Sequence, residues 1–226
     1  MKNSAPTATV GGYGYTLTLF EDRLAPAARA ELSPTPCVLY VRDGEVDVTT
    51  AGGRTRVAAD SAWHGTGGCV VTAGPQGAAV LRYELRRSGP ITTAAGAKLL
   101  LDQPIALDRG QAYLMRCDRV DFAPGGEALP HGHRGGGIRC LIDGGLEVRV
   151  GGRSGRLMKP GDAWFESGVP PVHAIASREA PTSFIRVSIL PTELRGRSSI
   201  VYVDPAHASV KPRKYTVHVD APIELP

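Results

Sequence analysis

Three histidines have the spacing of a metal site. His131 and His133 form an HxH pair, and on an extended strand residues i and i+2 point to the same face, roughly 7 Å apart. His173 follows later in the chain, after the segment PGDAWFESGVPPV. Three neutral imidazoles with open positions suit catalytic zinc, and imidazole also binds iron, nickel and copper. The sequence therefore predicts one divalent metal ion held by these three histidines. A surface or structural role is the alternative for the HxH pair taken alone.

Two further residues could act on a substrate beside that ion. Arg139 has the same strand parity as His133, so its guanidinium could bind a substrate carboxylate; an outward or ion-paired arginine is the alternative. Glu166 could serve as a general base or as an additional metal ligand, with a surface turn residue as its alternative. Trp164 lies two residues before Glu166 and is expected to pack in the core. Weaker candidates are Arg186 and Tyr113.

An internal repeat with a spacing of about 100 residues organises the chain. Leu39–Val48 reads LYVRDGEVDV and Leu141–Val148 reads LIDGGLEV, each a strand, a turn with glycine and a second alternating strand. The letters GGR follow in both copies, and each copy then reaches a tryptophan, Trp63 or Trp164. A repeat of this size suits a small antiparallel barrel or jelly roll. We therefore predict an all-β fold of two tandem β-barrels.

The predicted boundaries follow breaks in the strand pattern. Glycine, proline and small polar residues at Ser88–Ala97 mark the division between the barrels. The predicted domains are an N-terminal barrel over 1–90, a C-terminal barrel over 91–195 and an extension over 196–226 that braces the barrels. In the first repeat Ser33, Thr35 and Thr72 align with the three histidines, which predicts an N-terminal barrel without metal ligands.

The second repeat resembles the cupin superfamily. The first cupin motif runs glycine, five residues, HxH, a glutamate and a closing glycine; here Gly125 precedes the HxH pair by five residues, and Gly144 stands at the closing position. The second motif, which ends in a histidine, is matched loosely by the segment from Gly161 to His173. The resemblance covers Phe122–Pro191 and implies the double-stranded β-helix, or jelly roll, of that superfamily; the first half matches only in barrel outline.

One departure from the cupin pattern affects the metal. Gly137 occupies the position of the cupin glutamate, so the site resembles the three-histidine cupins, which include thiol dioxygenases and a diketone-cleaving dioxygenase. The resemblance favours Fe(II), with zinc, nickel or manganese as alternatives. Three neutral ligands leave the full charge of the ion for the substrate, which favours a small anionic, chelating molecule.

Three classes of function follow from these residues. The leading hypothesis is a metal-dependent cupin enzyme that acts on a small organic anion, specifically a non-haem iron dioxygenase. The second is a non-redox lyase or isomerase that uses zinc, manganese or nickel as a Lewis acid. The third is a non-catalytic cupin that binds a small molecule, because one fold hosts many functions.

Composition excludes several other partners. The formal net charge is +4, but the basic residues are scattered, and the cluster Lys211, Arg213 and Lys214 is interpreted as a solvated surface rather than a nucleic-acid site. No membrane span or secretion signal is recognised, which predicts a cytoplasmic protein.

The four cysteines are expected to be reduced and buried. A homodimer is one candidate oligomeric state, since cupins commonly form dimers.

Overall fold

The computed structural model describes residues 14–91, 93, 96–209 and 213–226. Residues 1–13 of the predicted first domain and Lys211 of the basic cluster lie outside this range. Within it, regular structure is strand apart from two short 3₁₀ helices, Thr192–Leu194 and Pro205–Ser209. The prediction of an all-β chain is confirmed.

Seven strands in the first part of the chain form one antiparallel sheet. They are β1 (Tyr15–Leu24), β2 (Arg29–Leu32), β3 (Cys37–Thr50), β4 (Gly53–Ala58), β5 (Ser61–Gly65), β6 (Cys69–Arg87) and β7 (Ala97–Ile105). The strand order is β4-β3-β6-β1-β7, with β2 also paired to β6 and β5 to β3. The long strands β3 and β6 therefore organise this sheet, because each pairs with several others.

Ten strands in the rest of the described chain form two five-stranded sheets. They are β8 (Tyr113–Phe122), β9 (Glu127–His133), β10 (Gly137–Asp143), β11 (Leu146–Val150), β12 (Arg156–Met158), β13 (Ala163–Glu166), β14 (Val172–Ala176), β15 (Thr182–Pro191), β16 (Ile200–Tyr202) and β17 (Arg213–Ile223). One sheet, the β10 sheet, has the order β13-β10-β15-β8-β17. The other, the β9 sheet, has the order β12-β11-β14-β9-β16.

The change of sheet falls later in the chain than predicted. Strand β7 pairs with β1, from Tyr15 opposite Ile105 to Asp22 opposite Ala97, so it belongs to the first sheet although the predicted boundary at residue 90 put it in the second domain. A turn-rich segment shows only that a strand ends, and not which sheet the next strand joins. At the other end of the chain, β16 pairs with β9 and β17 with β8. The closure of these sheets into two barrels stays a prediction.

Alternating side chains of the β10 sheet build two separate cores. Ile185 and Val187 on β15 pack toward the first sheet, in a cluster that includes Tyr83. Phe184 lies one residue away and joins a second cluster with Leu146 of the β9 sheet. Successive strand residues face opposite sides, so the β10 sheet is covered on both faces. The candidate site lies on the face that is turned toward the β9 sheet.

The repeat is visible in the backbone at two glycines. Gly44 and Gly144 have positive φ values of 75° and 74°. A Cβ on Gly44 would lie 2.2 Å from the carbonyl oxygen of Gly77, and one on Gly144 would lie 2.4 Å from that of Pro181. Both copies of the turn therefore require glycine, for its backbone freedom and for its lack of a side chain.

Two further expectations concern the whole described chain. All four cysteines are buried and free of disulfide bonds, which confirms the prediction for them. Among the described residues the structure contains no helix of the length and apolar character that a membrane crossing needs.

Candidate functional site

Four of the five predicted site residues line one cavity between the β9 and β10 sheets. His131 and His133 come from β9, Arg139 from β10 and Glu166 from β13. The sequence predicts one site for these side chains, and the strand pairing of Gly137 with Glu166 explains how β10 and β13 meet there. The fifth residue, His173, does not line this cavity.

The two imidazole rings of the HxH pair lie against each other. Their centroids are 4.9 Å apart and their planes meet at 89°, and the side chains of His131 and His133 are almost fully buried. The Nδ1 atom of His131 lies 2.6 Å from the carbonyl oxygen of Leu129, so this nitrogen carries the proton and Nε2 is left with a lone pair. The Nδ1 atom of His133 is buried without a hydrogen-bond partner.

Glu166 is the centre of a buried polar network. Its Oε2 atom lies 2.7 Å from Nη2 of Arg139 and 3.2 Å from Nε2 of His133. Its Oε1 atom accepts a hydrogen bond of 2.8 Å from Nε1 of Trp164. Trp164 therefore both packs in the core, as predicted, and orients the carboxylate. Arg139 also donates to the carbonyl oxygen of Gly137 at 2.6 Å.

Burial decides the charges of these groups. It lowers the pKa of His131 to about 4 and that of His133 to about 3, so both rings are neutral near pH 7. Burial also lowers the pKa of Arg139 to about 10, against the attraction of Glu166. For Glu166, burial alone would raise the pKa, but the Arg139 guanidinium and the hydrogen bonds from His133 and Trp164 outweigh it and hold the pKa well below its usual range.

His173 lies on the other side of its strand from the cavity. Its neighbours Val172 and Ala174 have buried side chains, whereas the His173 side chain is 22% exposed and its Nε2 contacts Oε1 of Glu127. Val172, and not His173, stands opposite His131 in the strand pairing. The structure thus places His131 and His133 in the cavity and His173 outside it, and the metal site of three histidines stays a prediction. Strand side chains alternate with a period of two, so a shift of one residue is enough to turn a histidine outward.

Two residues of β17 complete the cavity wall and were not predicted. Arg213 and Tyr215 both line it, and the Nε atom of Arg213 donates to the Tyr215 hydroxyl. The Nη1 and Nη2 atoms of Arg213 are shielded from solvent and have no hydrogen-bond partner. The basic cluster around Arg213 is therefore not uniformly solvated. The alternation of Arg213, Tyr215 and Val217 along a strand was the available signal, but it does not reveal which partner the strand joins.

A second arginine–carboxylate pair borders the site. Arg186 on β15 donates from Nε and Nη2 to the two carboxylate oxygens of Asp118, at 2.9 and 2.6 Å. Its guanidinium also lies 5.7 Å from the centre of the Tyr215 ring. The weak candidate Arg186 is thus a wall residue of the cavity with a charge balanced by Asp118. The other weak candidate, Tyr113, belongs to the core cluster against the first sheet.

The cavity itself is small. Its volume is about 20 Å³, which is enough for about one water-sized group. Its apolar walls include Phe122, Trp164 and Phe184. A ligand could therefore place only a polar head group there, and the remainder of the molecule would extend beyond it.

A divalent metal does not fit the side chains as they lie. Among the described residues, no three histidine, cysteine, aspartate or glutamate side chains form a group that could hold an ion. Glu166, the carboxylate that lines the cavity, has both oxygens engaged by Arg139, His133 and Trp164. The guanidiniums of Arg139 and Arg213 also line the cavity and would repel a cation.

Comparison with known proteins shows similarity at the level of structure. No family model and no curated protein matches the sequence. Among solved structures, an oxalate decarboxylase from Lactobacillus farciminis in complex with formate is 14% identical, with 90% of this chain and 88% of that chain covered and a TM-score of 0.63. A mutant of the oxalate decarboxylase from Bacillus subtilis is 12% identical, with 90% and 78% covered and a TM-score of 0.63.

A third solved structure adds a different activity on a similar framework. The salicylate 1,2-dioxygenase from Pseudaminobacter salicylatoxidans is 12% identical, with 89% of this chain and 75% of that chain covered and a TM-score of 0.54. At such identities the similarity concerns the fold and not the chemistry. The strand architecture and these structural neighbours together show that the chain has the cupin fold.

Proposed function

We propose that this chain binds a small organic anion by its carboxylate, in the cavity between the β9 and β10 sheets. The observation that carries the proposal is the state of Arg213, whose two terminal nitrogens are shielded from solvent and unpaired. A buried donor without a partner costs free energy, and more so when it is charged. A carboxylate is the natural partner, because its two oxygens match the guanidinium fork.

The charges around the cavity favour an anion over a cation. The Arg139 charge is balanced by Glu166 and the Arg186 charge by Asp118. Arg213 has no ion pair with any described carboxylate, so the wall carries one unbalanced positive charge. Both buried imidazoles are neutral near pH 7, so a single negative charge on the ligand would balance the positive charge of Arg213.

The structural neighbours are consistent with this ligand class. Two of them are oxalate decarboxylases, one solved with formate, and the third is a salicylate dioxygenase. Oxalate, formate and salicylate, the molecules in these names, are small carboxylates. They support a search among such molecules for this chain, and the arginine-lined cavity supplies the physical reason.

Acetate binding to Arg213 variants tests the proposal. Arg213→Gln keeps hydrogen-bonding capacity but removes the charge, and charge-assisted hydrogen bonds contribute about 1.5–3 kcal/mol, so affinity should fall about tenfold to a hundredfold. Chemical-shift titration by NMR measures the dissociation constant. Arg153→Gln, at an exposed arginine in the turn after β11, is the matched control and should bind like the wild type. Equal acetate affinity in both variants would overturn the proposal.

A metal-dependent enzyme is a second candidate function, favoured by one observation. Nε2 of His131 and the orphaned Nδ1 of His133 are free to bind an ion. Neutral imidazole nitrogens suit iron, zinc and nickel, whereas Glu166 contacts the other nitrogen of His133, Nε2, and is not part of this pair. An iron dioxygenase and a zinc, nickel or manganese lyase or isomerase both belong to this candidate.

Elemental analysis of the purified full chain tests the second candidate. Stoichiometric metal that is lost in His131→Ala, but retained in His173→Ala, would support it, because His131 lines the cavity and His173 does not. Metal that is retained in His131→Ala would contradict it. Iron would favour the dioxygenase, and zinc, nickel or manganese would favour the non-redox enzyme.

A further inference from the structure

We infer that the ligand is a carboxylate with an apolar body, and that its body lies in a cleft beside the cavity; this rests on the proposed function. The cleft lies between β17, β8 and the segment Gly196–Ile200. Its volume is about 370 Å³, which falls in the range of small-molecule pockets. It offers the space that the cavity of about 20 Å³ lacks.

The cleft and the cavity adjoin. Arg186 and Tyr215 line both spaces. Arg213 precedes Tyr215 by two residues on β17, so the two side chains leave the strand on the same side. A carboxylate on Arg213 therefore places the rest of the molecule beside the Tyr215 ring, in the direction of the cleft.

Four charged residues of the cleft form two ion pairs, Arg116 with Asp220 and Arg186 with Asp118, and Arg197 lines the cleft as an exposed residue. Arg116 binds both carboxylate oxygens of Asp220 at 2.9 Å and donates to the carbonyl oxygens of Leu194 and Arg197 at 2.7 Å. Asp220 in turn accepts a hydrogen bond from the backbone N–H of Gly196. These contacts fix the segment against β17, so the cleft is a built feature of the fold.

Three side chains give the cleft an apolar wall, and Arg197, Ser198 and Ser199 line it elsewhere. Val217 is 55% exposed and Tyr215 is 38% exposed, and Ile200 lines the cleft from the opposite side. A body of apolar or aromatic character thus fits against these side chains.

A series of acids tests this assignment on the full chain. Acetate, benzoate, hexanoate and oxalate are titrated and followed by NMR. We expect benzoate and hexanoate to bind at least tenfold more tightly than acetate, because they bury apolar surface, and oxalate to bind no more tightly than acetate. Oxalate as the tightest ligand, or equal affinities for acetate and benzoate, would overturn the inference while leaving carboxylate binding in place.

Substitution in the cleft locates the body of the ligand. Val217→Trp fills the cleft and should weaken benzoate binding at least tenfold with acetate binding unchanged. Val201→Trp is the matched control, since Val201 is 53% exposed on β16 and does not line the cleft. An unchanged benzoate affinity in Val217→Trp would overturn the inference. If the wild type binds none of these acids, the proposed function itself fails, and the inference with it.

Discussion

Glu166→Gln should destabilise the protein by about 3–5 kcal/mol, because it leaves a buried guanidinium without its counter-charge. Arg139 is 1% exposed and Glu166 is 8% exposed, and 2.7 Å separate their nearest charged atoms. Glutamine preserves the volume and can still accept the hydrogen bond of Trp164. The loss therefore reports the charge of Glu166 and the contacts of its Oε2 atom with Arg139 and His133, and not a cavity.

Urea unfolding of the full chain, followed by tryptophan fluorescence and circular dichroism, measures this change. Glu193→Gln is the surface control. It breaks the ion pair of Glu193, which is 61% exposed, with Arg134, which is 50% exposed, so it should lower the free energy of unfolding by less than about 1 kcal/mol. The double variant Glu166→Leu with Arg139→Met removes both charges and should recover much of the loss.

Two results would refute this reasoning. A loss below about 1 kcal/mol in Glu166→Gln would mean that solvent or another group compensates Arg139. A double variant that is less stable than Glu166→Gln would mean that the network contributes through its shape and hydrogen bonds rather than through balanced charge.

Further variants test the placement of His173 and of the turn glycine. His173→Ala should cost less than about 1 kcal/mol, because its contact with Glu127 is partly exposed, and acetate affinity measured by NMR should not change; weaker binding would contradict the outward position. Gly144→Ala should cost about 2 kcal/mol or more, since its Cβ would meet the carbonyl oxygen of Pro181. Gly151 also has a positive φ, but a Cβ there would meet nothing within 4 Å. Gly151→Ala should therefore lower the free energy of unfolding in urea by less than Gly144→Ala does; equal decreases would contradict the steric argument.

The sequence predicted the parts of the structure that depend on local pattern. Alternating strands with turn glycines, such as Gly44 and Gly144, indicate an all-β chain because each turn must meet its backbone requirement locally. The side chains of His131 and His133 face the same side of one strand because strand residues alternate with a period of two. These features need no knowledge of which strands are neighbours.

The rest depends on contacts between distant segments. His173 was placed in the site by motif spacing, but one residue of register in the loop before β14 decides which side it faces. Arg213 was grouped with exposed lysines, and its position in the cavity follows only from the pairing of β17 with β8. Nothing local to β7 reveals that it pairs with β1.

A crystal structure of the chain with bound benzoate tests the central claim most directly. We expect a carboxylate between the β9 and β10 sheets, with at least one oxygen within hydrogen-bond distance of Nη1 or Nη2 of Arg213. Benzoate bound away from Arg213, or held there by a metal ion on His131 and His133, would contradict it.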